Sequence, residues 1–317
     1  VVALGLSVII ASRVDQYLQK TVDDLLEKAD GEIEVIVVLD GYWPNPPLKE
    51  DPRVVIIHQG TIHDNLGMRE AINAGVSIAR GKYIMKIDEH CMVDQGYDLK
   101  LAADCQDNWV VIPRRFRLEP DSWTLLEDGR PPIDYMQIDY PYQRPYDRTC
   151  GLHGGEWRWR HYDRKHILID DTMSWQGSCW FTTKAYWDKL LFPLETSKYG
   201  TFTHESQEIG MKVWLSGGRL VVNKKTWYAH YHKGKKGKGY GFSRAQYARH
   251  MADMEKGRLF AIDYWVNDKW DSPARIHSFQ WLMDKFWPVP GWPDNWQEQI
   301  RIDQEKDWSK LGEPTWS

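Results

Sequence analysis

The sequence predicts an α/β chain built on a mostly parallel, Rossmann-like sheet flanked by helices, with a helical, Trp-rich C-terminal extension. Two observations carry that prediction. Between Leu6 and Ile87, short β-branched runs alternate with segments whose apolar residues recur at helical spacing. Strands separated by helices imply parallel pairing with right-handed crossovers. The second observation is the run Lys86-Ile87-Asp88-Glu89-His90, which closes the fourth strand. Open α/β sheets gather their ligands at that edge.

Leu6 to Ala11 is the first strand. Val14 to Ala29 is a helix, with Val14, Leu18, Val22, Leu25 and Leu26 on one face. Glu34 to Leu39 is a second buried strand ending at the turn pair Asp40-Gly41, and Pro44, Pro46 and Pro47 mark a loop. Arg53 to His58 is the third strand, Leu66 to Ala79 a helix closed by Gly81, and Tyr83 to Ile87 the fourth strand. Val110 to Ile112 is one more strand. Pro113 to Asp171 then shows little periodicity, which predicts a functional loop or small strands. Met173 to Phe181 leads to a helix at Lys184 to Leu190. Glu205 to Ser216 is a helix stopped by Gly217-Gly218, and Arg219 to Asn223 is a strand. Helical patterns return at Arg244 to Met254 and Leu259 to Trp265, before a tail dense in Trp and Pro.

The 317 residues suffice for a substantial core. A net charge of -4 excludes a molecule that binds nucleic acid by overall charge. Eighteen Trp and sixteen Tyr offer flat faces suited to stacking on sugars or bases, although core filling accounts for most of them. The four cysteines, Cys91, Cys105, Cys150 and Cys179, lack C-x-x-C spacing, so neither a zinc site nor a disulfide framework is expected. A reducing compartment, the cytoplasm, follows. The apolar start, Val1 to Ile10, is too short to span a bilayer and lacks a basic leader, so it reads as a buried strand.

Side chains alternate along a strand, so Asp88 and His90 emerge on one face. A carboxylate beside an imidazole can hold a divalent cation. The segments in order resemble the GT-A glycosyltransferases, particularly family 2 and the catalytic domain of the polypeptide N-acetylgalactosaminyltransferases. Ser7 to Arg13 looks like the first strand of that family, and Val37 to Gly41 like the second. Asn65 to Ala71 with Ala79 to Ile84 is similar to the segment before the metal motif. Asp88-Glu89-His90-Cys91 matches the Asp-x-His-Cys form of the N-acetylgalactosaminyltransferases. His204 to Trp214 looks like the acceptor-side helix, and Tyr228 to Lys233 like the segment whose His is a further metal ligand. The resemblance covers about residues 5–235.

The resemblance implies a nucleotide-sugar half at about 1–110, an acceptor half at about 111–240, and an extension at 241–317 packed on them. It implies Mn²⁺, or Mg²⁺ in its place, on Asp88, His90 and His230, with His232 on the same face as the alternative ligand. It implies a UDP-sugar held by Ser12, Arg13, Asp40, Asn65, Gly67, Lys86, Asp88, Lys233 and Tyr240, with Asp40 on the uracil. Trp175, Gln176, Gly177, His204 and Glu205 would meet the acceptor, and Glu205, with Asp88, would be catalytic. In an inverting reaction Glu205 takes the acceptor proton. The His of the triplet leans toward retaining relatives, and the stereochemical outcome stays open.

The Gly-rich stretch Lys233 to Tyr240 follows His230 directly and reads as a lid over the diphosphate; the alternative is a nucleic-acid surface with Phe242. Gly155 to His166 alternates Trp and Arg, which puts like residues on one face of a strand and makes, with Arg114, Arg115 and Arg117, a second acceptor candidate. The lid and tail look similar to phage-encoded family 2 enzymes. That implies a host cytoplasm and, as one acceptor, a hydroxymethylated base in phage DNA; a glycan or protein hydroxyl is the alternative. A nucleotidyltransferase is disfavoured, because Ala11-Ser12-Arg13 is no Gly-rich phosphate loop. A non-catalytic nucleic-acid or carbohydrate binder is the remaining rival.

Overall fold

The computed structural model describes residues 4–13, 16–142, 151–232 and 244–306. Its first part is β1 (Leu6–Ser12), α1 (Leu18–Lys28), β2 (Ile33–Asp40), β3 (Val54–Gln59), α2 (Met68–Ile78) and β4 (Tyr83–Ile87). β1 pairs in parallel with β2 and β4, and β2 with β3. β1 and β2 are apolar on both faces because both faces are covered. Val8 and Ile10 pack with Leu18, Val22 and Leu25 of α1, while Ile9 packs with Ile72 and Val76 of α2.

The chain continues through β5 (Cys91–Val93), α3 (Tyr97–Asp104), β6 (Trp109–Glu119), β7 (Thr124–Leu125), β8 (Met136–Ile138), β9 (Gly154–Glu156), α4 (Arg158–Arg164) and β10 (Ile169–Asp171). Then come β11 (Cys179–Thr183), α5 (Lys184–Tyr186, running on as a π-helical turn Trp187–Leu191), α6 (Glu205–Leu215) and β12 (Arg219–His230). The main sheet runs β10-β12-β6-β11-β4-β1-β2-β3. β11 is antiparallel to both β4 and β6, whereas β12 and β6 are parallel, so the sheet is mostly parallel but mixed.

Four segments differ from the sequence-based expectation, three of them up to β12. β6 runs on past Ile112, and β12 past Asn223, because their polar halves pair with each other from Arg114↔Trp227 to Arg117↔His230. Arg114 is neutralised there by both oxygens of Asp134, at 2.8 Å each. Residues 158–164 form a helix rather than the expected strand. Trp157, Arg160 and Arg164 fall on one face at helical spacing. Arg160 lies over the rings of Tyr135, Trp157 and Phe286, and Arg164 pairs with Asp170, while Trp159 is 75% exposed.

The last helices are α7 (Arg244–Ala261, running on as a π-helical turn Ile262–Val266), α8 (Phe279–Phe286) and α9 (Trp296–Gln304). α7 is one helix where two were expected. Its Gly257 packs against Tyr199 and Thr203, and a Cβ there would come 2.5 Å from the Tyr199 carbonyl oxygen. Trp265, Phe279, Phe286, Trp292 and Trp296 join Trp175, Trp180, Trp187 and Trp214 in one core, so most of the tryptophans are packing residues. No helix among the described residues is long and apolar enough to cross a membrane.

Gly67, just before α2, has φ +95, and a Cβ there would overlap Thr201. Gly67→Ala is expected to cost about 1–3 kcal/mol of stability. Urea unfolding checks this, and a melt unchanged from wild type would contradict it.

Candidate active site and metal centre

β4 ends at Ile87, and the chain turns through Asp88-Glu89-His90 before β5. Thr21 of α1 braces that turn: its hydroxyl donates to the Glu89 carbonyl at 3.0 Å and accepts from the Cys91 amide at 3.1 Å. The Asp88 amide donates to the Ser178 carbonyl at 2.9 Å. β5 pairs antiparallel with β12, with Cys91 opposite His230. Two separate strands thus deliver one cluster. His90 Nε2 lies 3.1 Å from His230 Nε2, and Asp88 Oδ2 lies 3.2 Å from the same atom. The three donor atoms fall within 4.8 Å of one another. His232, the alternative ligand, lies outside the cluster, its ring 6.2 Å from that of His230.

The protonation states suit a cation. Burial opposes the charge on Asp88, but Lys86 and then His230 outweigh it and hold the carboxyl far below its ordinary range. Burial pushes His230 down to about 3 against the pull of Asp88. An ionised carboxylate and a neutral imidazole are the forms that ligate metal. One hard oxygen beside two imidazole nitrogens can hold a divalent transition metal.

Lys86 is 1% exposed. Its ammonium donates to Asp88 Oδ1 and to the Gly177 carbonyl, each at 2.5 Å, and lies 3.5 Å from Glu205 Oε2. Burial opposes its charge, but Asp88 and Glu205 raise its pKa. Its donors face inward, so this geometry gives Lys86 the work of positioning Asp88 and Glu205 rather than of gripping a ligand directly. Glu205 opens α6 and is 3% exposed. Trp180 Nε1 donates to its Oε1 at 2.6 Å. Burial raises its pKa, and Lys86 restrains the rise.

Lys86, Asp88, His90, Glu205 and His230 line a cleft of about 1210 Å³. Ser12, Arg13, Asp40, Asn65 and Gly67 line one part of it. Asp40 accepts the Leu66 and Gly67 amides at 2.8 and 2.7 Å, so its carboxylate shapes this wall. Glu89, which the sequence reading passed over, ties the wall to the metal motif: it accepts the Ser12 hydroxyl and, at 3.0 Å, the Arg13 amide. Its only sequence signal is its place between the two ligands. Trp175, Gln176, Gly177, His204 and Glu205 line another part. There Trp175 Nε1, Gln176 Oε1, His204 Nε2 and Glu205 Oε2 are buried without a hydrogen-bond partner among the described residues. His204 has φ +57, an uncommon backbone for a residue with a side chain, and burial pushes its pKa well down.

The basic-aromatic run makes no such wall. Of residues 155–166 only Glu156 lines the cleft, whereas Arg115 and Arg117 do reach it. Trp180 was missed as the orienter of Glu205, since a Trp in a buried strand carries no sign of its partner. Lys233 and Tyr240, with the rest of the expected lid, lie outside the described residues.

The sheet and its edge define an α/β protein of the GT-A type, with Asp88, His90 and His230 as a candidate cation site in its cleft. The family model for Glycosyl transferase family 2 matches residues 7–167, just over half of the chain, and the chain belongs to that family. It is 30% identical over 105 residues to the uncharacterized glycosyltransferase EpsJ of Bacillus subtilis (strain 168), across 31% of this chain and 29% of that protein. It is 31% identical over 86 residues to the glycosyltransferase GlyG of Streptococcus pneumoniae serotype 4 (strain ATCC BAA-334 / TIGR4), across 25% of this chain and 28% of that protein. The chain thus matches under a third of either relative's length. Among solved structures, GalNAc-T7 with UDP, GalNAc and Mn²⁺ superposes with a TM-score of 0.63 at 16% identity, over 90% of this chain and 57% of that one. At that identity the likeness shows the fold.

Proposed function

We propose that this chain transfers a sugar from a UDP-sugar to an acceptor hydroxyl in a divalent-metal-dependent reaction, with Mn²⁺ as the preferred ion and Mg²⁺ its substitute. The observation that carries the reading is the convergence of Asp88, His90 and His230 from two strands in the same cleft as Glu205. Family membership supports sugar transfer, and the Mn²⁺ and UDP in GalNAc-T7 support the choice of ion and donor.

Asp88, His90 and His230 would hold the cation, which when bound supplies charge neutralisation at the diphosphate. The protein's own residues do the rest. Lys86 keeps Asp88 turned toward His230, and Trp180 keeps Glu205 in one rotamer. Glu205 takes the proton of the acceptor hydroxyl. The unpartnered atoms of Trp175, Gln176 and His204 suit the hydroxyl groups of a sugar, because buried polar atoms ordinarily find a partner. A non-catalytic binder would have no use for a buried carboxylate held beside a metal cluster. The acceptor is a hydroxyl of a glycan, a protein or a hydroxymethylated base.

Calorimetric titration of the full chain with UDP, with and without Mn²⁺, tests the reading. Binding of UDP that requires the metal is the expected result. UDP affinity indifferent to metal, or no binding at all, would sink it.

A further inference from the structure

Arg115 is 7% exposed, yet its Nε has no hydrogen-bond partner, and no carboxylate lies in ion-pair range of it among the described residues. The fully buried Arg69 is neutralised by Glu208, and even the partly exposed neighbour Arg114 is neutralised by Asp134. A buried cation without an anion is costly, so its persistence calls for a ligand that supplies one. Arg115 lines the same cleft as the metal cluster. It stands opposite Tyr228 in the parallel β6–β12 ladder, two positions before the Arg117↔His230 pair. Alternation along β12 puts Tyr228 and His230 on one face, so Arg115 lies beside a proposed metal ligand.

From this geometry we infer that Arg115 is a catalytic residue, a fixed guanidinium that touches the diphosphate of the donor and stabilises it as it leaves. The inference rests on the donor reading above. A nucleoside diphosphate carries about three negative charges, of which a divalent cation offsets about two. Lys86 adds nothing to that balance, since its charge is matched by Asp88. In the transfer, the bond from the anomeric carbon to the β-phosphate oxygen breaks and its electron pair stays on that oxygen. The acceptor oxygen bonds the anomeric carbon, and its proton goes to Glu205. A cation held in a sheet strand needs no reorganisation to meet the charge that develops on the phosphate.

The test is calorimetric titration of the full chain with UDP, UMP and uridine in Mn²⁺, for wild type, Arg115→Gln and Arg115→Lys. The glutamine variant is expected to lose about tenfold or more in UDP affinity while uridine binding holds, so the preference for UDP over UMP collapses. Lysine recovers part of it, because it restores the charge without the planar fork. Circular dichroism melts confirm folding, and Arg115→Met serves if the glutamine variant unfolds. An unchanged UDP-to-UMP ratio in a folded, uncharged variant would overturn the role of Arg115 and leave the donor reading standing. A wild-type chain that binds no uridine nucleotide with Mn²⁺ overturns both.

Discussion

Asp88→Ala is expected to remove metal-dependent UDP binding, by a factor of about 100 or more. Asp88 is the one carboxylate in the cluster with His90 and His230. It is also the partner of the ammonium of Lys86, which keeps only the Gly177 carbonyl and the more distant Glu205 when that carboxylate goes. A stability loss of about 1–3 kcal/mol should therefore accompany the loss of binding. Asp88→Asn, which keeps the shape and an acceptor for Lys86, should bind as poorly but unfold closer to wild type. Calorimetry and urea melts on the two variants separate the effects. Full UDP affinity in Asp88→Ala with Mn²⁺ present would end the metal assignment.

Glu205→Gln is expected to leave UDP affinity within about twofold while turnover falls by about 100-fold or more, the usual weight of a general base. Burial raises the pKa of this carboxyl above its ordinary value of 4.5. A base acts in its ionised form, so turnover should climb with pH along a limb lying above 4.5, and the variant should lack that limb. Stability runs the other way. A carboxyl whose folded pKa is raised stabilises the fold fully below 4.5 and loses that contribution as pH rises through the folded value. Wild type should thus lose stability relative to Glu205→Gln over that interval. Turnover of the variant at the wild-type rate, once an acceptor is in hand, would take Glu205 out of the chemistry.

The parts of this molecule legible in the sequence are those whose physics is local. β1, β2 and β4 are apolar runs covered on both faces, and α1 and α2 show one apolar stripe each. Alternation carried past Ile87 puts Asp88 and His90 on one side, but β4 ends at Ile87, and it is a turn braced by Thr21 of α1 that brings them together. The choice between His230 and His232 was not local. It follows from the β5–β12 register, and nothing in Cys91 to Val93 announces a strand that pairs with residues 228–230. The polar halves of β6 and β12 were hidden for a related reason, since the charge of Arg114 is matched by Asp134, twenty positions on. The alternating Trp and Arg of residues 157–164 satisfy a period of two and a period near four equally well. Tyr135 and Phe286, remote in sequence, decide for the helix. The inward engagement of Lys86 has the same origin: its partner Glu205 lies more than a hundred positions away.

The antiparallel β11 has a mechanical consequence. It is hydrogen-bonded to β4 on one side and to β6 on the other, which makes the strands before and after it a single sheet. Two lobes joined by a crossover can swing together on a hinge; a continuous sheet cannot bend that far without breaking its ladder. Enclosure of a substrate in this cleft therefore falls to the segments that rim it, while Lys86 of β4 and Trp180 of β11 hold Asp88 and Glu205 from within the sheet.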